Sequence, residues 1–201
     1  MCMELASAML STNSRGQSPV VSSRELTAKV TMKSQSTREE TTAKLFFYPV
    51  HGNLLLGSEN PCLHPRPGEL VQALTERFHI RCMITLTPQF EDFDITGLAQ
   101  YHRPLTDAGV PSPDQVRPMV EIVTTHIERS QPVWCHCQRG LDRTGCVLGC
   151  SLTSLGHCPD TVIQKIVECF PPGRRTPELL RLWAPYADLI RSFYVRRDGV
   201  G

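Results

Sequence analysis

The stretch that decides the fold is VWCHCQRGLDRTG, at residues 133–145. Its first four residues are a short apolar run after Gln131-Pro132, a pattern that predicts a buried strand. A glycine-containing loop follows, and a helix is predicted to begin at Arg143 and to end near Leu155. The order of strand, loop and helix indicates that one β-strand delivers a tight loop and that one helix N-terminus closes it.

Such a loop has the properties of an anion-binding site. Backbone N–H groups that curl around one point, together with the positive end of a helix dipole, bind a phosphate-sized anion without many charged side chains. Gly140 allows the tight turn. We therefore expect the substrate-binding residues to be those of the loop itself: Gln138, Arg139, Gly140, Leu141, Asp142 and Arg143.

Three side chains of this stretch are candidates for catalysis. Thiolates are stabilised at helix N-termini and beside arginine, so Cys137 is predicted to be a nucleophile that accepts phosphate from a monoester. Arg143 supplies a planar, permanently charged fork for the phosphoryl oxygens. Thr144 is placed to donate a hydrogen bond to the sulfur and so to help the thiolate leave.

The Cys-x5-Arg spacing alone is a weak signal, because residues 169–175 hold a second copy, CFPPGRR. Cys169 ends a predicted amphipathic helix instead of a strand, and two prolines remove N–H donors from the following loop. We therefore interpret this second copy as non-catalytic.

Expulsion of an alkoxide or phenolate needs a proton donor. Asp107 is the candidate, since it follows a predicted strand on a Gly- and Pro-containing loop that can close over substrate. Asp114 competes but is better explained as favouring a helix N-terminus. Asp142 is expected either to brace Arg143 or a neighbouring loop, or to act as an alternative acid.

The rest of the sequence predicts a single α/β domain with a central, mostly parallel sheet flanked by helices. Residues 1–44 are rich in Ser, Thr, Gln and charges and are predicted to be a disordered extension, with the catalytic domain at 45–197. Apolar patterns predict further strands at Leu45–Tyr48, Asn53–Leu56, Arg81–Thr87 and Tyr101–Leu105, and helices at Pro67–Phe78, from Pro113, at Pro159–Cys169 and at Pro177–Tyr194.

Composition limits the range of partners. Lys and Arg number 21 against 20 for Asp and Glu, so no overall field favours a stable complex with nucleic acid. No run of about 18 apolar residues predicts a transmembrane segment. The nine cysteines are an odd number and several lie in apolar runs, which favours a reduced, cytoplasmic protein.

From His136 to Gly145 the chain resembles the protein tyrosine phosphatase superfamily, whose signature is His-Cys-x5-Arg-Ser/Thr-Gly. It is most similar to the compact dual-specificity branch, because Asn53–Ser58 is similar to the opening strand motif of that branch and Asp107 stands where its general acid is expected. The resemblance covers about residues 47–194. It implies a phosphocysteine intermediate that water hydrolyses, with no metal or organic cofactor.

Details of the loop leave several substrates open besides phosphorylated proteins. The run from Leu141 to Thr144 is similar to loops of myotubularin-like and Sac-like phosphoinositide phosphatases. Arg139-Gly140 is similar to the atypical branch that acts on inositol pyrophosphates, and the frame as a whole to RNA 5′-triphosphatases. Two other classes of function also stay open: a phosphate-binding module without catalysis, and a redox thiol protein based on Cys135 and Cys137.

Overall fold

A computed structural model describes residues 27–31, 42–107, 109–170 and 177–194. Its strands form one six-stranded sheet in the order β1-β2-β3-β6-β4-β5. The strands are β1 (Thr27–Thr31), β2 (Thr42–His51), β3 (Leu55–Ser58), β4 (Cys82–Thr85), β5 (Ala99–His102) and β6 (Val133–His136).

Five α-helices and one short 3-10 helix, Pro61–Leu63, complete the described fold. Four of the α-helices have proline among their first residues, where its missing N–H costs no hydrogen bond. The helix at Pro113 also begins with the predicted capping box between Ser112 and Gln115. The α-helices are α1 (Pro67–Phe78), α2 (Pro113–Glu128), α3 (Asp142–Ser154), α4 (Pro159–Cys169) and α5 (Pro177–Ser192).

The centre of the sheet is parallel. Strands β3, β6, β4 and β5 run in one direction, whereas β2 pairs antiparallel with β3 and β1 antiparallel with β2. The last residues of the parallel strands, Ser58, His136, Thr85 and His102, are register partners in one row. The loops after these strands therefore leave from one edge, where ligands bind in open α/β sheets.

Helices cover both faces of the sheet. Side chains of β6 alternate, so that Val133 and Cys135 lie in a core cluster with residues of α2, α3, α4 and α5. Trp134 points to the other face and lies in a cluster with Leu70, Val71 and Leu74 of α1. The predicted α/β fold with a mostly parallel central sheet flanked by helices is confirmed.

The strands predicted at Leu45–Tyr48 and Arg81–Thr87 overlap β2 and β4 but have other ends, and two further strands are displaced along the chain. The strand expected at Asn53–Leu56 lies at Leu55–Ser58, because Gly52 adopts a positive φ of 53° and the Leu54 N–H closes a turn onto the His51 carbonyl oxygen at 3.0 Å. Apolar character alone did not separate this turn from the strand.

The strand expected at Tyr101–Leu105 lies at Ala99–His102 instead. Ala99 is paired with Cys82 of β4, and this pairing is a long-range contact that local apolar character does not reveal. Within the described part of the chain, none of the helices combines the length and the apolar character needed to span a bilayer.

The predicted disordered extension, 1–44, differs from the structure where the structure describes it. Residues 27–31 form β1, which pairs with 42–46 of β2, and β-branched Thr27, Val30 and Thr31 favour such a strand. The remaining residues of 1–44, and residues 195–197 at the end of the predicted domain, lie outside the described residues.

Candidate active site

A cleft of about 220 Å³ opens at the edge of the sheet where the parallel strands end. Its lining consists of Asp107, Cys137, Gln138, Arg139, Asp142 and Arg143. Six of the residues singled out in the sequence therefore meet in one place. The other three, Gly140, Leu141 and Thr144, are buried in the loop and in the first turn of α3.

The loop presents many backbone donors. Across the described residues, none of the N–H groups of 138–144 donates a hydrogen bond to a protein acceptor, and the Gly145 N–H makes the first bond of α3, to the Leu141 carbonyl oxygen at 2.7 Å. No side chain caps this helix N-terminus. A row of N–H donors at the positive end of a helix dipole is an anion site.

Glycine is required at position 140 for two reasons. Its φ is +68°, and a Cβ there would lie 2.3 Å from the Ser58 carbonyl carbon. The hydroxyl of Tyr48 donates to the Gly140 carbonyl oxygen at 2.6 Å, and burial raises the pKa of Tyr48 well above its usual value, so it stays protonated. The loop is thus held against the end of β3 by a side chain of β2, and sequence analysis had not singled out Tyr48.

The Cys137 side chain is buried, directly after β6 and in front of α3. The neighbouring His136 is buried as well, and its Nε2 lies 2.9 Å from the Thr85 hydroxyl oxygen. Burial lowers the pKa of His136 to about 3, so the imidazole is neutral at physiological pH. A neutral side chain at this position adds no charge behind the loop, and the positive charge of the site comes from Arg139, Arg143 and the backbone.

Arg143 is buried and is held by the loop that carries Asp107. Its Nη1 donates to the Leu105 carbonyl oxygen at 3.3 Å, and its Nη2 lies 2.9 Å from Asp107 Oδ1. The Arg143 side chain is 5% exposed and that of Asp107 is 77% exposed. The candidate acid therefore lies at the mouth of the cleft, where it forms an ion pair with the guanidinium that is predicted to bind phosphate.

Asp142 faces a different element from the one expected. Its Oδ1 accepts a hydrogen bond from the Trp183 indole N–H of α5 at 3.2 Å, so its described partner is a helix instead of Arg143 or a neighbouring loop. From the same helix, the Tyr186 hydroxyl donates to the Gly109 carbonyl oxygen at 3.1 Å. Sequence analysis missed both aromatic residues, since no local pattern connects α5 with the cleft.

The Thr144 side chain is fully buried, and its hydroxyl makes no hydrogen bond within the described residues. The predicted hydrogen bond to the Cys137 sulfur is therefore not formed in this structure. A buried hydroxyl without a partner costs free energy, and it is available as a donor to a group that enters the loop.

Cys169, the first residue of the second Cys-x5-Arg copy, ends α4 and its Sγ lies 3.8 Å from the Pro49 carbonyl oxygen. Residues 171–175 of that copy lie outside the described residues, so its non-catalytic interpretation stays a prediction. The described residues hold no group of three or more His, Cys, Asp or Glu side chains that is arranged for a metal ion.

Comparison with known proteins agrees with the geometry. Residues 67–157 match the family described as "Polymorphic toxin system, DSP-PTPase phosphatase". These residues include β4, β6, the loop and α3. Over these residues the chain is similar to a compact dual-specificity phosphatase. No curated protein matches it at a significant level.

Several solved phosphatase structures share the fold. A mouse putative dual specificity phosphatase complexed with zinc tungstate superposes with a TM-score of 0.58 at 16% identity, over 82% of this chain and 100% of that chain. The core catalytic domain of the PP-IP phosphatase SIW14 from S. cerevisiae gives 0.54 at 21% identity, over 76% and 87%. PTPMT1 in complex with PI(5)P gives 0.52 at 16% identity, over 73% and 97%.

Proposed function

We propose that the protein hydrolyses phosphomonoesters through a phosphocysteine intermediate and that it is of the dual-specificity type, acting on phosphotyrosine, phosphoserine and phosphothreonine in proteins. The observation that carries the proposal is the meeting of Cys137, Arg143 and Asp107 in one cleft, in front of backbone N–H groups that have no protein acceptor among the described residues. These groups supply a nucleophile, an anion clamp and a proton donor.

In the first step, the Cys137 thiolate forms a bond to phosphorus while the bond to the ester oxygen breaks. The protonated carboxyl of Asp107 gives its proton to the leaving oxygen. The N–H groups of 138–144 and the fork of Arg143 bind the phosphoryl oxygens, whose charge is spread in the transition state. Because Asp107 lies on Arg143 at 2.9 Å, the phosphoryl group takes its place as the partner of the guanidinium.

In the second step, water attacks phosphorus and the S–P bond breaks. Asp107, now a carboxylate, accepts the proton of the water, and inorganic phosphate leaves. The departing thiolate needs a hydrogen-bond donor, and the buried Thr144 hydroxyl in the first turn of α3 has no partner within the described residues. Thr144 is the proposed donor to the Cys137 sulfur in this step.

Hydrolysis of p-nitrophenyl phosphate by the full chain tests the proposal. Cys137→Ser should reduce phosphate release to the rate of the buffer, whereas Cys169→Ser, which changes the cysteine of the second Cys-x5-Arg copy, should keep the wild-type kcat/KM. A wild-type rate for Cys137→Ser would contradict the mechanism. If Cys169→Ser lost activity and Cys137→Ser kept the wild-type rate, the second Cys-x5-Arg copy would be the active site.

A second candidate substrate is a polyanion, such as a phosphoinositide, an inositol pyrophosphate or an RNA 5′-triphosphate. The observation that favours it is Arg139, which is exposed and lines the cleft beside Cys137. A guanidinium in this position can bind a second phosphate of the same molecule. Among the solved structures of this fold are a PP-IP phosphatase and a complex with PI(5)P.

Phosphate release from a panel of phosphopeptides, phosphoinositides, inositol polyphosphates and 5′-triphosphate RNA separates the two candidates. If the substrate is a polyanion, Arg139→Ala should lower its kcat/KM about tenfold, the value of one charge-assisted hydrogen bond, and should lower kcat/KM for p-nitrophenyl phosphate by a smaller factor. Arg129→Ala, an exposed arginine at the end of α2, is the matched control. Preference for phosphopeptides with no effect of Arg139→Ala would favour the dual-specificity type.

We also propose a cytoplasmic location for this activity. Cys82, Cys135, Cys146 and Cys150 are buried thiols in the core, as expected of a reducing compartment. Burial raises the pKa of Cys135 and of Cys82, which keeps these thiols protonated and unreactive. Fractionation of cells that produce the full chain tests the location.

A further inference from the structure

Helix α5 carries two buried aromatic side chains that point toward the cleft but do not line it. Trp183 is 2% exposed and Tyr186 is 6% exposed. They are three residues apart on one helix face, and their rings are stacked with centroids 5.7 Å apart and an interplanar angle of 27°. Because the two rings pack on each other, their polar atoms are fixed relative to each other.

The two polar atoms of this pair contact two different loops of the site. The Trp183 indole N–H donates to Asp142 Oδ1 in the first turn of α3 at 3.2 Å. The Tyr186 hydroxyl donates to the carbonyl oxygen of Gly109, two residues after Asp107, at 3.1 Å. One rigid element thus links the phosphate loop to the loop of the candidate acid.

We propose that Trp183 and Tyr186 form an aromatic clamp of positioning residues, which holds the acid loop over the phosphate loop during the reaction. This inference rests on the proposed function. When substrate binds, its phosphoryl group replaces Asp107 as the partner of the Arg143 guanidinium. The ion pair between Arg143 and Asp107 therefore cannot hold the acid loop in that state. The bond from Tyr186 to Gly109 lies outside the cleft and persists in that state.

The Tyr186 hydroxyl stays a hydrogen-bond donor over a wide range of pH. Burial, together with the nearby Asp142 carboxylate, raises the pKa of Tyr186 to about 12. The hydroxyl therefore stays protonated and can donate to the Gly109 carbonyl oxygen at any pH at which the proposed reaction runs.

Trp183 acts on the other loop. The Asp142 carboxylate lies beside an anion site, where its charge opposes phosphate. The indole N–H holds Oδ1 toward α5. The close approach that this needs is possible because position 145 is glycine, where a Cβ would lie 2.7 Å from Trp183 Cζ2.

Tyr186→Phe removes the hydroxyl and keeps the ring, so it tests the clamp with little effect on packing. Loss of acid positioning matters most for basic leaving groups. We expect kcat to fall roughly tenfold for phenyl phosphate but only about twofold for p-nitrophenyl phosphate. In an Asp107→Asn background the same change should cost nothing further. Tyr194→Phe, an exposed tyrosine beyond the end of α5, should leave both substrates unaffected.

A Tyr186→Phe protein that loses the same factor with both leaving groups, or that loses it again in the Asp107→Asn background, would overturn the clamp. That result would not contradict the proposed chemistry, because the chemistry is tested separately by the activity of Cys137→Ser. Should wild-type protein hydrolyse neither ester, the proposed function fails. Amide hydrogen exchange of residues 105–111 then decides the clamp separately: faster exchange in Tyr186→Phe supports it, and unchanged exchange overturns it.

The hydrogen bond from Trp183 to Asp142 is tested by a separate measurement. Trp183→Phe should raise the inhibition constant of inorganic phosphate about fivefold, because the released Asp142 carboxylate repels the anion. The double variant Trp183→Phe/Asp142→Asn should restore phosphate binding, since the displaced charge is gone. An unchanged inhibition constant in Trp183→Phe, or no recovery of phosphate binding in a folded double variant, would contradict this role of Trp183.

Discussion

At the scale of single residues, the proposed reaction depends on which group binds the Arg143 guanidinium. Asp107 holds it in this structure, at 2.9 Å, with 77% of the Asp107 side chain exposed. An ion pair with one partner so exposed contributes little to stability. In the proposed reaction the phosphoryl group replaces Asp107 as the partner of Arg143, and Asp107 protonates the leaving oxygen.

The variant Asp107→Asn tests this account of the acid. It keeps the size of the side chain but removes the proton donor, so kcat for phenyl phosphate near neutral pH should fall by roughly 10²- to 10⁴-fold. The melting temperature should change little, because the Asp107 side chain is exposed and asparagine keeps its size. Asp114→Asn, an exposed acid in the first turn of α2, is the control and should retain full activity. An unchanged pH profile in Asp107→Asn would remove Asp107 from this role.

At the scale of elements, the cleft depends on the close packing of α3 against α5. Gly145 lies in the second turn of α3, where a Cβ would be 2.7 Å from Trp183 Cζ2 and 3.0 Å from Ile166 Cγ2. Both neighbours are buried, so neither can move without disturbing the core.

Gly145→Ala should therefore lower the free energy of unfolding by about 1–3 kcal/mol, the usual cost of overpacking. Gly68→Ala is the matched control, because a Cβ in the first turn of α1 meets nothing within 4 Å and alanine is the better helix former. Urea unfolding of both variants measures the difference. Equal stability of the two variants would show that α3 and α5 are less closely packed than described.

Local signals in the sequence predicted some elements with their observed bounds. Helices α1 and α4 start at a proline and have apolar residues at helical spacing, and β6 is an apolar run between Pro132 and the loop. Strand β1 was missed because the polar composition of the segment 1–44 as a whole predicted disorder, and its pairing with β2 is a contact between segments that composition does not predict.

The residues of the site divide in the same way. The loop and the Asp107 segment were predicted because each has a chemical pattern within a few residues. Tyr48, Trp183 and Tyr186 reach the site from β2 and α5, at sequence separations of 92, 41 and 77 residues from their partners. Such contacts form through the tertiary fold, and no spacing in the sequence marks them.

At the scale of the whole molecule, stability should depend on pH through the buried His136. Its pKa is about 3 in the folded protein and about 6.5 in an unfolded chain. Between these values the unfolded chain binds a proton that the folded protein does not, so acid favours unfolding. The stability present above pH 6.5 is lost as pH falls toward 3, by up to about 1.4 kcal/mol per pH unit from this residue.

Urea unfolding of wild type and His136→Asn between pH 7 and pH 4 measures this dependence. The carboxylates contribute to both proteins, so the difference between the two slopes belongs to His136, and the variant should have the shallower slope. The same substitution at the exposed His79 is the control. Parallel slopes for wild type and His136→Asn would contradict a neutral, buried imidazole.

The central claim is that phosphate passes through the Cys137 sulfur. Its most direct test is a rapid acid quench of the full chain during turnover of p-nitrophenyl phosphate, followed by digestion and peptide mass spectrometry. We expect one phosphoryl group on Cys137 that is absent from Cys137→Ser and that is hydrolysed more slowly in Asp107→Asn, which lacks the base of the second step. A phosphoryl group on another residue, or rapid turnover with no phosphorylated Cys137, would contradict it.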